Sequence, residues 1–330
     1  MEAPESLHAL IGGHRSTALI YVAAKLRLAD LLARKPASSH ELAEQLQVNG
    51  DALHRILRGM VAVGLLREAN GKFALTAIGE CLRTDVAGSL YQYAILTGVE
   101  YAPAWAALLC SVQSRGVPFE KIFGMNVWEH RERNPELGRL FQQSLAEQTR
   151  SLARALLRIY DFSPAATIVD IGGGTGELLR CILERNPQAQ GILLEQPQVL
   201  ENVTNDSPNR FRAETGDFFQ RIPADADIYL LKSVLHDWDD ARCCQILQCC
   251  REAMKQTSRL LVIERQNPQH AADDAATVLM DLHMMAVQGG RERTQAEFDK
   301  LARSCGLVTV QARKIDKGFW LMEFAPWSAA

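Results

Sequence analysis

The residues best suited to chemistry in this chain lie where a buried apolar run meets a cluster of glycines. Ala166-Thr167-Ile168-Val169-Asp170-Ile171 leads directly into Gly172-Gly173-Gly174-Thr175-Gly176, the pattern of a strand opening onto a turn whose backbone approaches a ligand closely. Nineteen residues beyond Gly176 the next apolar run, residues 191–194, ends in Glu195. An acid at that second strand tip can accept hydrogen bonds from both hydroxyls of a ribose. The ligand expected from this pattern is an adenosine derivative. A dinucleotide would seat its pyrophosphate on the N-terminus of the following helix, and that helix opens with Glu177, a carboxylate that repels it. A methionine-derived nucleoside carries no pyrophosphate and meets no such conflict.

A second candidate lies further along. His236 stands just past the apolar run 226–232, at the end of a strand and the start of a loop, where α/β sheets expose reactive groups. An imidazole titrates near neutrality and can take a proton from a hydroxyl. Soon after it come Cys243, Cys244, Cys249 and Cys250, four thiols in eight residues. Neither pair forms C-x-x-C, and adjacent cysteines on a helix point in different directions, so a zinc site is not expected. With Ile246, Leu247 and Met254 they complete the apolar face of a helix.

Holding these groups in place takes a sheet. Further strand patterns fall at residues 212–215, 226–232, 259–264, 308–314 and 319–324, with helical spacing after most of the earlier ones. The fold class is therefore α/β, a doubly wound and mostly parallel Rossmann-like sheet. Its last two strands are joined only by residues 315–318 and must form an antiparallel hairpin, because so short a link cannot cross over to a parallel neighbour. Composition changes at Ser163-Pro164, which places the cofactor-binding domain at residues 161–330.

Residues 1–160 read as a mainly helical domain. Helical spacing covers 18–32, Ser39 opens a short helix with Glu41 in its first turn, and 51–63 follows the Asn49-Gly50 turn. The runs 65–67 and 72–75 then flank Asn70-Gly71, a type I′ hairpin signal. Helix, turn, helix, hairpin is a winged-helix-like order. Longer helical patterns fill 90–114 and 135–160, and their apolar periodicity exceeds what one thin domain can bury, which predicts a twofold homodimer.

The 330 residues are enough for two cores. A net charge of −3, with Lys and Arg scattered, offers no basic field. Glu41, Glu44, Asp51 and Glu68 surround the His54, Arg55 and Arg58 of the second helix, so the winged pattern is not expected to bind nucleic acid. No run is long and apolar enough to cross a bilayer. Residues 1–11 lack the basic start and apolar run of a secretory signal, so the expectation is a cytoplasmic protein whose eight cysteines are reduced thiols.

Four ordered runs carry a family likeness: Val169-Asp170-Ile171-Gly172-Gly173-Gly174-Thr175-Gly176, then Gly216-Asp217-Phe218-Phe219, then Leu235-His236-Asp237-Trp238-Asp239-Asp240, then Gly289-Gly290-Arg291-Glu292-Arg293-Thr294. Their order and spacing resemble the caffeate and hydroxyindole O-methyltransferases of secondary metabolism, over nearly the whole chain. The resemblance implies S-adenosylmethionine as cofactor, held by Asp170, Gly172, Gly174, Glu195, Asp217, Phe218 and Lys232. Glu195, where the family usually has Asp, would take the ribose, Asp217 and Phe218 the adenine, and Lys232 the methionine end. It implies His236 as general base, with Glu264 and Glu292 orienting the ring and stabilising imidazolium. The acceptor implied is a small-molecule hydroxyl, in a pocket walled by Trp238, Met280, Met284, Met285, Tyr101, Trp105, Phe123 and Trp128.

One branch of the same family, which methylates the carbon beside the keto group of 2-oxo acids, implies a different use of these residues. There His236, Asp237 and His283 would ligate a divalent metal, iron or zinc, and the metal would hold an aryl or alkyl pyruvate, or a 2-oxo-arginine-like acid, through its carboxylate and keto oxygens. Glu100 or Glu147 would then pair with a guanidinium. His236 cannot be both ligand and free base, so the two readings exclude each other. A third possibility is a domain that binds the cofactor without transferring methyl, since fold alone does not fix chemistry.

Overall fold

Asn70 and Gly71 both take positive φ, 52° and 70°, which closes the expected hairpin between β1 (Leu66–Ala69) and β2 (Lys72–Leu75) with Ala69 opposite Lys72. The computed structural model describes residues 3–114, 116–201, 203, 209–316 and 318–327. Met1 and Glu2 of the N-terminal stretch and Lys317 of the hairpin link lie outside the described residues.

The chain forms two units, Met1–Pro103 and Ala104–Ala330. In the first, the helix Ser39–Leu46 is capped one residue earlier than expected: Ser38 Oγ accepts from the Glu41 N–H at 3.2 Å, and the Glu41 carboxylate accepts from the Ser38 N–H at 2.7 Å. This reciprocal box satisfies two donors that the helix start leaves open. Gly50–Ala62 has the simpler one-way cap, the Asn49 Oδ1 accepting from the Ala52 N–H at 2.9 Å. The pattern 18–32 breaks into Gly13–Lys25 and Leu28–Arg34 because Arg27 turns left-handed, φ 54°. Leu28, Leu42, Leu57, Met60 and Phe73 are buried together in this unit's interior. The helix Ala3–Ile11 buries nothing and leaves Leu7, Leu10 and Ile11 exposed.

The pattern 90–114 is also interrupted. Tyr91–Leu96 runs into a π-helical turn, Thr97–Tyr101, which brings Gly98 against helix Gly13–Lys25. A Cβ on Gly98 would fall 2.2 Å from the Tyr21 ring, so no larger residue fits.

The second unit contains a seven-stranded sheet in the order β5-β4-β3-β6-β7-β9-β8, with β3 (Thr167–Ile171), β4 (Gln190–Glu195), β5 (Phe211–Thr215), β6 (Ile228–Lys232), β7 (Arg259–Arg265), β8 (Leu307–Asp316) and β9 (Phe319–Pro326). The first five strands in that order pair in parallel; β9 is antiparallel to β7, and β8 to β9. Both faces are covered, as a parallel sheet requires. Val169 and Ile171 pack on Cys243, Ile246, Leu247 and Cys250, while Ile168 packs on Leu178, Leu179 and Ile182 of the opposite layer. The chain lays β4 and β5 to one side of β3, then crosses to β6 and β7 on the other. The crevice at the carboxyl ends of β3 and β6 is therefore the topological switch point, where such sheets bind ligands.

The boundary between the units falls well before residue 160. Pro135–Ile159 packs on helix Glu177–Arg185 and on β8, and Leu152, Ala153 and Leu156 enter the same core as Ile168 and Leu179. Its apolar face belongs to the sheet, a long-range fact that composition does not carry.

Tyr229 is fully buried on β6 and its hydroxyl accepts from the Ala226 N–H at 3.1 Å and lies 2.7 Å from the Ala253 carbonyl. Tyr229→Phe leaves a buried N–H without its acceptor, and a loss of about 1–3 kcal/mol in urea unfolding is expected.

Candidate active site

The residues expected to hold the cofactor lie on β3, β4 and the loop after β5. Gly172, Gly174 and Gly176 all take positive φ, 64°, 60° and 77°, a left-handed path that glycine alone adopts without strain. Gly172 lies between Phe218 and Val234, whose side-chain carbons would stand 3.3 and 3.2 Å from a Cβ there. Both Glu195 oxygens are anchored: Oε2 accepts from Gly174 N–H at 2.9 Å and Oε1 from Gln196 N–H at 2.8 Å. The longer Glu side chain thus ties the tip of β4 to the glycine turn. Asp217 is similarly fixed by the Phe219 N–H and the Gln220 amide, both at 2.9 Å. Phe218, Phe219 and Trp238 form one aromatic cluster, with ring centroids 4.8 to 6.4 Å apart.

The reactive end gathers residues from three places. Glu264 sits buried at the end of β7, and its Oε1 accepts from the N–H groups of Val234 and Leu235, at 2.9 and 2.8 Å. Glu292 is buried beyond helix Ala275–Val287, with its N–H donating to Asp281 Oδ1 at 2.8 Å. His236 Nδ1 stands 3.0 Å from Glu292 Oε1 and 3.7 Å from Glu264 Oε2, and its Nε2 is 3.5 Å from Asp237 Oδ1. Both acids lie on the Nδ1 side, an arrangement that favours the tautomer with the ring proton on Nδ1 and leaves Nε2 to take another. The loop leaves β6 through Ser233, a non-glycine residue at φ 54°, a costly conformation that surrounding contacts must enforce.

The charge balance is strongly negative. Burial opposes a charged His236, but Glu264, Glu292 and Asp237 outweigh it and raise the ring to about 10. Burial pushes Asp170 up to about 7, with Glu195 adding to the effect and Lys232 opposing it. Asp237 is raised by burial to about 6, and Glu264 is raised by burial against the pull of His236. Lys232 is lowered by burial while Glu264 and Asp170 work the other way. Among the described residues, five carboxylate oxygens here have no hydrogen-bond partner: both of Asp170 and one each of Asp237, Glu264 and Glu292. Acceptors without donors, beside a glycine cradle, are complementary to a cationic nucleoside such as S-adenosylmethionine. The residues present therefore fit that cofactor.

The alternative metal set is not the one the fold assembles. Among the described residues the group close enough to share an ion is His236, Glu264 and Glu292, within 4.8 Å of one another; Asp237 and His283 are not part of it. His283 Nδ1 accepts from the Trp105 indole N–H at 3.2 Å, and the rings stack. Burial, then the positive charges of Arg131 and His236, hold His283 near 4. One nitrogen is already used and the surroundings disfavour a second cation. Glu147 likewise is engaged with Arg150, and Glu100 is buried in the first unit.

Of the residues expected to wall an acceptor pocket, Trp105 is against His283, Phe123 packs on Phe119 and His130, and Trp128 meets Phe141, over whose ring Arg131 lies at 3.7 Å. Met284 is buried. Tyr101 belongs to the first unit, near Tyr93. Sequence reasoning missed Gln142, whose Oε1 would stand 2.8 Å from a Cβ on Gly174 and has no hydrogen-bond partner among the described residues. It also missed Asp281 as the anchor of Glu292.

A sheet of this order, with a cation-seeking cradle at its switch point, defines a Rossmann-like S-adenosylmethionine-dependent methyltransferase. The chain belongs to the O-methyltransferase family: the model of the O-methyltransferase domain matches residues 105–308, and that of the O-methyltransferase dimerisation domain matches residues 8–85. It is 36% identical to a phenazine O-methyltransferase of Lysobacter antibioticus, over 96% of this chain and 94% of that one. The solved mitomycin 7-O-methyltransferase superposes with a TM-score of 0.93 at 32% identity, covering 98% of each chain. An O-methyltransferase from neocarzinostatin biosynthesis, solved with S-adenosylmethionine and 2-hydroxy-5-methyl naphthoic acid, superposes with a TM-score of 0.84 at 29% identity, covering 94% of this chain and 96% of that one.

Proposed function

We propose that this enzyme methylates a hydroxyl on a small aromatic secondary metabolite of the hydroxyphenazine or hydroxynaphthoate type, with His236 as general base. The observation that carries this reading is the His236 ring just past the carboxyl end of β6, with two buried glutamates on its Nδ1 side. S-adenosylmethionine supplies an electrophilic methyl on a sulfonium sulfur. Glu195 would hold the ribose, Asp217 and Phe218 the adenine, and Gly172, Gly174, Asp170 and Lys232 the rest of the cofactor. Glu292 and Glu264 fix the ring with its proton on Nδ1, so that Nε2 removes the acceptor's hydroxyl proton as the methyl is transferred. Much of the rate would come from alignment in a site that excludes water.

The N-terminal unit, winged-helix-like in its element order, would pair two chains. Support comes from the family's dimerisation domain at residues 8–85 and from the exposed Leu7, Leu10 and Ile11 on a helix that buries nothing of its own. A cytoplasmic setting belongs to the same proposal: all eight cysteines are free thiols, and no described helix is long and apolar enough to cross a membrane.

Incubating the protein with S-adenosylmethionine and a panel of hydroxyphenazines and hydroxynaphthoates is expected to yield S-adenosylhomocysteine, matched mole for mole by an O-methylated product. Methylation at carbon, or cofactor binding with no turnover on any member, would overturn the reading.

A further inference from the structure

The segment that carries Glu292 also grips the loop that carries His236. Arg293 is completely buried, and half of its hydrogen bonds go to backbone: Nη1 donates to the Leu235 carbonyl and Nη2 to the Trp238 carbonyl, both at 2.8 Å. Leu235 and Trp238 bracket His236 and Asp237. Asp240 Oδ1 takes the remaining bonds, from Nε at 3.0 Å and Nη2 at 2.8 Å. The Arg291 N–H donates to the His236 carbonyl itself at 2.8 Å, and a Cβ on Gly290 would fall 2.0 Å from that same oxygen. On the other side, the Asn267 N–H donates to the Arg293 carbonyl at 3.0 Å, just past the strand that ends in Glu264 and Arg265.

A planar guanidinium can bridge two carbonyls at fixed separation in a way an ammonium cannot. We propose that Arg293 is a positioning residue for methyl transfer, clamping residues 235–238 so that the His236 ring faces Glu292 and Glu264. Its side-chain hydrogen bonds all go to Leu235, Trp238 and Asp240 of the chain itself. The proposal rests on His236 being the base, and it says why the base loop, the β7 acid and the second acid keep one geometry: all three are tied to the same few residues.

The titration reads His236 directly and by itself needs no acceptor. The groups facing its ring are Asp237, Glu264, Glu292 and His283. In protein labelled with 15N-histidine, the His236 ring signals are assigned by their loss in His236→Asn and followed through a pH titration, alongside S-adenosylhomocysteine affinity by calorimetry. In Arg293→Lys the His236 midpoint is expected to fall by about 1 pH unit, and in Arg293→Met by about 1–3 units, as the ring leaves its carboxylates, with S-adenosylhomocysteine affinity unchanged in both. A lysine variant whose His236 titrates as in the wild type would overturn the proposal, even where the methionine variant does not fold. A shifted titration together with full turnover of His236→Gln would instead sink the base assignment and leave the clamp standing.

Discussion

Replacing His236 with Gln is expected to lower methyl transfer by roughly 10²–10⁴-fold while leaving S-adenosylhomocysteine affinity unchanged. Gln is of similar length and polar, so the cavity stays filled, but its amide cannot take a proton at any accessible pH. The comparison is turnover with the best acceptor of the panel against cofactor-product affinity by calorimetry. Undiminished turnover would remove His236 from the mechanism. The pH dependence sharpens the point. With the ring raised to about 10 by its carboxylates, the free enzyme holds imidazolium at neutral pH, and its competent fraction increases as pH rises toward that value. The stabilising contribution of the protonated ring runs the other way: it is fully present below pH 6.5 and is lost as pH climbs through about 10. The ring becomes able to accept a proton as it stops helping the fold.

Asp170→Asn is expected to stabilise the cofactor-free protein. Burial, reinforced by Glu195 against the opposing pull of Lys232 and the Leu179 backbone N–H, holds this carboxyl at about 7 instead of 3.8, and neither oxygen makes a hydrogen bond of normal geometry among the described residues. Between pH 4 and 7 the folded state keeps a proton that the unfolded chain has released, so stability falls as pH rises across that window and the deficit is complete above it. A displacement of about three pH units corresponds to roughly 4 kcal/mol. The Asn amide brings two buried donors of its own, costing about 1–3 kcal/mol if unpaired. A net gain of about 1–3 kcal/mol at pH 8 follows, vanishing or reversing at pH 4, measured by urea unfolding at both values. Affinity for S-adenosylhomocysteine should fall in the same variant, because an acceptor-only cradle has lost its charge. Equal stability of the two proteins at pH 8 would show that Asp170 is not under strain.

What the sequence revealed and what it hid divide along physical lines. The glycine run, the acid tip of β4 and the closing hairpin were legible because each is a local pattern with a backbone cause. Ser38 was missed as a cap in favour of Ser39, since either serine precedes the apolar run and only the Glu41 geometry selects one. The break at Arg27 had no signal, because arginine is an ordinary helix former and tertiary packing imposes its left-handed turn. His236, Glu264 and Glu292 come from three separate elements, and only the family resemblance could suggest that they meet. The contact of His283 with Trp105 joins residues 178 positions apart, and no local pattern announces it. Arg293 stood in a motif already quoted, yet its partners are mostly carbonyl oxygens, which every residue carries and no sequence advertises.

The π-helical turn at Thr97–Tyr101 has a bearing on how the gene can change length. Such a turn holds one residue more than an α-helix needs there, so it works as a phase shift: helix faces after it are rotated by about 100° per residue relative to an uninterrupted helix. A single-codon deletion here would keep the segment helical and leave no gap in the chain, yet it would carry every later face of that helix away from its present neighbours. Gly98, within the turn, is pinned against Tyr21, so the error could not be absorbed there. When homologues of different length are aligned, a one-residue offset in this region therefore belongs inside the helix, at the wide turn, and not in the nearest loop.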